Sequence, residues 1–339
     1  MTKRVVIVLG MHRSGTSLIT KALETMGVEL GDNLLGGRVD NPKGFREDKK
    51  IITLNSALLK LQGGNWSTLF SSFDFSSEEL CTKTIYQDAE KYINKEFQHH
   101  PLWGFKDPRT CILLPFWTKL LEKLGYRPEY LIVLRNPLSI IQSLWKRDLI
   151  DKNDSSLLYI QYFLPLLKLY LKQKACVVDY DYFMEDSRQE YYRISKELNL
   201  TTDPKKMEEF LNDFLSKNLR HNTSSKPNSN DSEIVYQAWN LYIRSFTEII
   251  KNDTNQLEKI YSEYDRLYHD FVQTSRMSKR KFTLGMPLLI RYGSAFFTFL
   301  RHLKYMDLSF GMLKLLFLDT RRNRFKKFFQ LHNHGCEKD

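Results

Sequence analysis

Five consecutive apolar residues, Val5 to Leu9, stop at Gly10, and apolar positions then return at helical spacing as Leu18, Ile19, Ala22, Leu23 and Met26. An unbroken β-branched run bounded by glycine predicts a strand buried on both faces over residues 4–9. The spacing after it predicts a helix over 16–26, closed by Gly27. Similar short runs predict strands over 102–106, 130–134 and 175–179, and helical periodicity predicts helices over 48–61, 110–124, 137–147 and 157–172. Strands alternating with helices predict an α/β three-layer sandwich around a central parallel sheet, with ligands at the carboxyl ends of its strands.

The pattern changes after residue 220. SSKPNSNDSE is polar and turn-rich, a Tyr-rich helical pattern follows over 233–272, and the chain ends in an extension whose apolar residues alternate with Lys and Arg. The expected organisation is a body of residues 1–222, a helical segment of 232–275 and a basic amphipathic tail of 276–339.

Charge sharpens that division. The whole chain carries a formal excess of +11, while residues 276–339 hold 14 Lys or Arg against 4 Asp or Glu. The body is therefore nearly neutral and the tail is the element that seeks an acidic partner. A helix with aromatic, aliphatic and basic residues interleaved suits an anionic membrane surface, and it suits equally a helix docked on the body or on another subunit. No nucleic-acid partner is expected, because the aromatics share their face with aliphatics. No uncharged apolar run reaches about 18 residues, so no transmembrane helix is expected. Residues 5–11 are too short for a secretory signal core. Cys81, Cys111, Cys176 and Cys336 are scattered without metal-ligand spacing, as expected for free thiols in a reducing compartment.

In GMHRSGTS, Gly10 and Gly15 have the spacing of a nucleotide-triphosphate loop, but Thr16 stands where such a loop carries its lysine. The basic residue is Arg13, inside the loop. Backbone N–H groups at a helix start, with the hydroxyls of Ser14, Thr16 and Ser17, make an anion site. On spacing alone a plain strand–helix turn is the competing description. In RNPLSIIQS, Asn136 predicts an N-cap and Pro137 the first helical turn, leaving Arg135 at a strand end and Ser143 two turns along the helix. Those two form a second anion site away from the loop. Arg135 is a cation where a magnesium-dependent triphosphate enzyme would place a carboxylate.

Taken in order, these segments resemble the sulfotransferases that use 3′-phosphoadenosine 5′-phosphosulfate. GMHRSGTSL is similar to their 5′-phosphosulfate loop and RNPLSIIQS to their 3′-phosphate motif. NPKGFRED resembles the acceptor-side loop of bacterial members, and WGFKDPRT a Lys-Asp-Pro segment shared with tyrosylprotein sulfotransferases. The likeness runs from residue 3 to LRHN at 219–222, where Arg220 and His221 match a recurring element of unassigned role, and it leaves the tail unexplained. It implies a P-loop-type fold, with the phosphosulfate as co-substrate and no metal. Donor contacts would come from His12, Arg13, Ser14, Gly15, Thr16, Ser17, Arg135 and Ser143. Lys106 and Arg13 would meet the charge that moves during transfer, and Glu47 would act as the base.

Other assignments compete. Glu47 also suits a carboxylate at the start of the following helix, and Asp48, Asp40 and His12 are rivals for the base. His12 also suits a loop residue bonded to backbone. Asp107 and Arg109 are expected to pair or to brace the loop, and Trp66 is either packing or a platform for a sugar or purine. The expected acceptor is the hydroxyl of a glycan or glycolipid, ahead of protein tyrosine. A phosphotransferase with a degenerate loop and a non-catalytic P-loop protein bound through its tail are the rival classes. The expected location is the cytoplasm, with the tail at the inner membrane face.

Overall fold

The computed structural model describes residues 3–37, 44–70, 83–215 and 226–285, with backbone alone at 83, 214 and 275–285. Four parallel strands, β1 (Lys3–Leu9), β2 (Leu102–Lys106), β3 (Tyr126–Leu134) and β4 (Cys176–Asp179), form a sheet in the order β2-β1-β3-β4. The chain steps from β1 to one side for β2 and then crosses to the other side for β3. That reversal opens a crevice at the carboxyl end of β1, the usual ligand position in such sheets.

Both faces of the sheet are covered, which is why the strands read as continuous apolar runs. Val6 and Val8 of β1 pack with α1 (Thr16–Thr25), α7 (Tyr180–Glu185), α8 (Ser187–Glu197) and α9 (Pro204–Glu209). Val5, Ile7 and Leu9 face the larger layer built from α2 (Lys49–Leu61), α3 (Lys83–Phe97), α4 (Leu114–Lys123), α5 (Pro137–Asp148) and α6 (Lys152–Lys172). Each such fully buried aliphatic side chain contributes about 1.5–3 kcal/mol. The expected three-layer α/β sandwich is what the chain forms.

Most departures from the sequence reading have local causes. β3 begins at Tyr126 rather than residue 130. Pro128 is tolerated because β3 pairs with β4 only from Leu131 onward, so at residue 128 one flank of the strand needs no donor. The helix expected over 110–124 is instead a 3-10 turn, Pro108–Cys111, followed by α4, because Pro115 can only occupy a first turn. The long helix expected over 233–272 is two: α10 (Glu233–Lys251) and α11 (Thr254–Gly285). Asn252 takes the left-handed conformation at φ 57°, and Asp253 caps the next helix by accepting from the Gln256 N–H at 3.0 Å. α6 starts earlier than expected because Asp151 caps it through the Asn153 and Asp154 N–H groups. α3, not anticipated, docks through Phe97, whose ring stacks on Trp103 at 3.9 Å.

The described residues up to 277 belong to one compact unit, in which α10 lies against α5 and α6. A second unit is formed by Ser278–Asp339, and the expected tail lies almost wholly outside the described residues. No helix among the described residues is long and apolar enough to cross a membrane.

Gly104 in β2 is a packing constraint. A Cβ there would stand 2.6 Å from the Val6 carbonyl oxygen and 2.8 Å from Val28 Cγ1. Gly104→Ala should therefore cost roughly 1–3 kcal/mol of stability in denaturant titration. Gly36→Ala, which meets nothing within 4 Å, should be close to neutral.

Candidate active site

The crevice is lined first by the loop between β1 and α1. The Gly10 N–H donates to Cys111 Sγ at 3.2 Å, tying the loop's start to the turn after β2. A Cβ on Gly10 would lie 2.8 Å from the Val133 carbonyl oxygen, so only glycine lets the loop press against β3. Gly15 has φ 92°, and a Cβ on it would fall 2.1 Å from the Tyr180 ring. Helix α1 then starts with no side-chain cap and no acidic residue in its first turn. Its positive end and first N–H groups face the crevice with no carboxylate of the helix's own to neutralise them.

The two expected anion elements meet at Arg13. That residue is left-handed at φ 71°, and its Nε donates to Ser143 Oγ at 2.7 Å. Arg135 Nη1 donates to the Arg13 carbonyl at 2.9 Å. The Arg135 guanidinium lies 4.4 Å above the Tyr180 ring, and Tyr159 donates to the Arg135 carbonyl at 3.4 Å. Asn136 caps α5 as expected, accepting from the Leu138 N–H at 3.0 Å. Ser143 thus faces the loop cation, and the sites expected to be separate adjoin. Ser14 is buried, and its hydroxyl has no hydrogen-bond partner.

On the other side of α1 sits a buried ion pair. Lys106 ends β2 with only 2% exposure, and its Nζ lies 2.6 Å from Glu47 Oε1 and 3.2 Å from Ser17 Oγ. Ser17 donates in turn to the Phe45 carbonyl at 3.1 Å. Glu47 precedes the N-cap of α2, so it is not a first-turn carboxylate. The cap is Asp48, which accepts from the Ile51 N–H at 2.9 Å and from the Tyr92 hydroxyl. Burial raises the Asp48 pKa, against the pull of the Tyr92 hydrogen bond. Asp48 is thus committed to capping and to Tyr92. Asp40, Arg220 and His221 lie outside the described residues.

His12 joins the two halves. Its ring packs 4.5 Å from Trp66 and 5.8 Å from Tyr162, and its Nε2 is buried with no hydrogen-bond partner. The Arg147 guanidinium lies 5.5 Å from the Trp66 ring, so Trp66 already has His12 and an arginine against it. Burial, followed by the charges of Arg109, Arg147, Lys106 and Arg13, holds the His12 pKa well below its ordinary value. Asp107 and Arg109 do pair, at 2.8 Å, and Asp107 also accepts from Asn55 Nδ2 at 2.9 Å. Asn55 accepts from Trp117 Nε1 at 2.7 Å. The sequence reading missed Asn55, Cys111, Tyr159 and Tyr180. None belongs to a motif, and each enters the site through contacts distant in sequence.

No family model matches the chain, and no curated protein matches it. Among solved structures it is similar to the sulfotransferase domain of the Synechococcus PCC 7002 olefin synthase, at 17% identity and a TM-score of 0.41, over 72% of this chain and 96% of that one. It is also similar to the sulfotransferase domain from the curacin biosynthetic pathway, at 14% identity and a TM-score of 0.37, over 77% and 97% of the two chains. Both likenesses are distant, and the chemistry open to the crevice is set by this chain's own residues.

The His12 environment makes stability depend on pH. The folded state holds this imidazole neutral, whereas the unfolded chain takes up its proton near the ordinary value of 6.5. The unfolded state therefore binds more protons as pH falls through about 6.5, and stability drops on acidification. Melting temperatures measured across that range should fall less steeply for His12→Phe than for the wild type. An identical slope would show that the ring is not held neutral.

Proposed function

We propose that this chain is a sulfotransferase, moving a sulfuryl group from 3′-phosphoadenosine 5′-phosphosulfate to an acceptor hydroxyl, with a glycan or glycolipid as the acceptor. The observation that carries the reading is the convergence of Lys106, Glu47 and Ser17 at the uncapped start of α1. A metal-free transfer of a charged group needs cations and oriented N–H groups where charge builds up, and a base for the hydroxyl proton. Both are within one crevice. Arg13, held by Ser143, supplies a second cation from the loop.

The donor set suits a ligand charged at two places. The 5′ end would take the α1 N-terminus, with the Ser14, Thr16 and Ser17 hydroxyls. Arg135 and Ser143 would serve the 3′-phosphate, with Ser143 exchanging its bond to Arg13 for one to the ligand. Glu47 would accept the acceptor proton as the acceptor oxygen bonds to sulfur, and Lys106 beside it would stabilise the negative charge on the sulfuryl oxygens and on the bisphosphate that leaves as its bond to sulfur breaks. The proposed location is cytoplasmic, with the basic tail on an anionic membrane surface.

The test begins with the donor. In thermal unfolding without metal, 3′-phosphoadenosine 5′-phosphate at a hundredfold excess over its Kd should stabilise the chain by about 2.7 kcal/mol. Adenosine 5′-phosphate at the same concentration should do far less. Greater stabilisation by ATP with magnesium would move the reading to a phosphotransferase.

Chemistry is tested separately with radiolabelled donor and cell fractions containing glycan, lipid or protein. Glu47→Gln, which keeps a hydrogen bond to Lys106 but not the charge, should slow label transfer by roughly 10²- to 10⁴-fold while changing bisphosphate affinity far less. A matching loss of affinity would make Glu47 part of the donor site instead of the base.

A further inference from the structure

The second anion element rests on a contact far from any loop motif. Leu134 ends β3, Asp179 ends β4, and the two are paired neighbours in the sheet. Arg135 and Tyr180 are the residues that come directly after them, which is how the guanidinium comes to lie over the phenol ring at 4.4 Å. Tyr180 is the first residue of α7 and also abuts Gly15. The ring therefore lies against the loop at Gly15 as well as under the Arg135 guanidinium.

What holds Tyr180 is Asp179. Its Oδ1 accepts from the Asp181 and Tyr182 N–H groups at 2.9 and 3.0 Å, which fixes the turn that carries Tyr180. Its Oδ2 accepts from the Tyr242 hydroxyl at 2.6 Å. Both partners are buried, and Tyr242 comes from α10, 63 residues away. α10 in turn lies on α5 and α6, with Val235 and Trp239 against Leu138 and Ile141 of α5. The bond therefore spans from the helical segment after the polar stretch to the mouth of the crevice.

We propose that Tyr242 and Asp179 are positioning residues for the 3′-phosphate side of the donor site, which makes α10 a working part of that site. This rests on the sulfotransferase reading. Removing the hydroxyl leaves Asp179 buried with one oxygen unanswered, so the turn can shift and carry Tyr180 away from Arg135. Arg135 then loses its platform while the α1 N-terminus remains in place. The effect should fall on ligands that carry a 3′-phosphate and spare those that do not.

The experiment is calorimetric titration of the full chain with adenosine 3′,5′-bisphosphate and with adenosine 5′-phosphate. Tyr242→Phe and Asp179→Ala should each raise the bisphosphate Kd about tenfold, the scale of one buried hydrogen bond to a charged group. The Kd for adenosine 5′-phosphate should stay at its wild-type value. Asp179→Asn, whose amide oxygen can still cap α7 while its NH2 donates to the Tyr242 hydroxyl oxygen, should keep bisphosphate affinity near wild type. Lowered ligand-free melting temperatures with unchanged bisphosphate Kd would make the contact mere packing and overturn the proposal. Equal weakening of both ligands would do the same, by placing the effect on the whole loop. A wild-type chain indifferent to the bisphosphate would instead refute the donor reading, and the positioning role with it.

Discussion

The Lys106 ammonium is 2% exposed, and an ammonium at that depth with no counter-charge costs several kcal/mol. Glu47 Oε1 at 2.6 Å is the condition under which β2 can end in lysine. Meeting it constrains a whole segment. Arg46 takes φ 55°, the Leu35 N–H donates to the Glu47 carbonyl at 2.7 Å, and Asp48 starts α2 directly afterwards. Ser17 accepts from the lysine and donates to Phe45, so the first turn of α1 is tied to the same segment. The pair thus registers three separate pieces of chain against one another, a role for which a buried pair is better suited than for raw stability.

Around this pair the cations of the crevice are held in two ways. Arg109 is matched by Asp107, Arg147 by Asp148, and Arg13 by the Ser143 hydroxyl. Carboxylates pair with the arginines that line the wall, and the Ser143 hydroxyl ties the loop cation to α5.

Much of this was legible in the sequence because it follows from local rules. The apolar run before Gly10, the Asn-Pro start of α5 and the glycine after α1 each specify their element through backbone chemistry confined to a few residues. Lys106 and Glu47 could be named from the resemblance, but their direct contact could not, since nothing local links a strand end to a loop 59 residues earlier. α3 carried a usable signal in Ala89, Ile93 and Phe97, four apart and all buried, but the ridge is narrow and its neighbours are charged. Tyr180 and Tyr242 were illegible for a different reason. A tyrosine that braces an arginine looks in sequence like any other core aromatic, and this chain has 18 tyrosines.

The loop's setting also has a bearing on synthesis. Arg13 leaves the ribosome ahead of the groups it meets in the fold: Ser143 follows 130 residues later and Arg135 after 122. β1 meanwhile has no strand partner until β2 and β3 emerge, since its strand pairings are to them. Long-range closure of this kind is slow relative to helix formation. The polar loop therefore waits, next to the apolar strand that precedes it, while those 130 residues are made. A nascent chain stalled before β3 would present an unpaired Val-Val-Ile-Val edge, the kind of segment that holding chaperones cover.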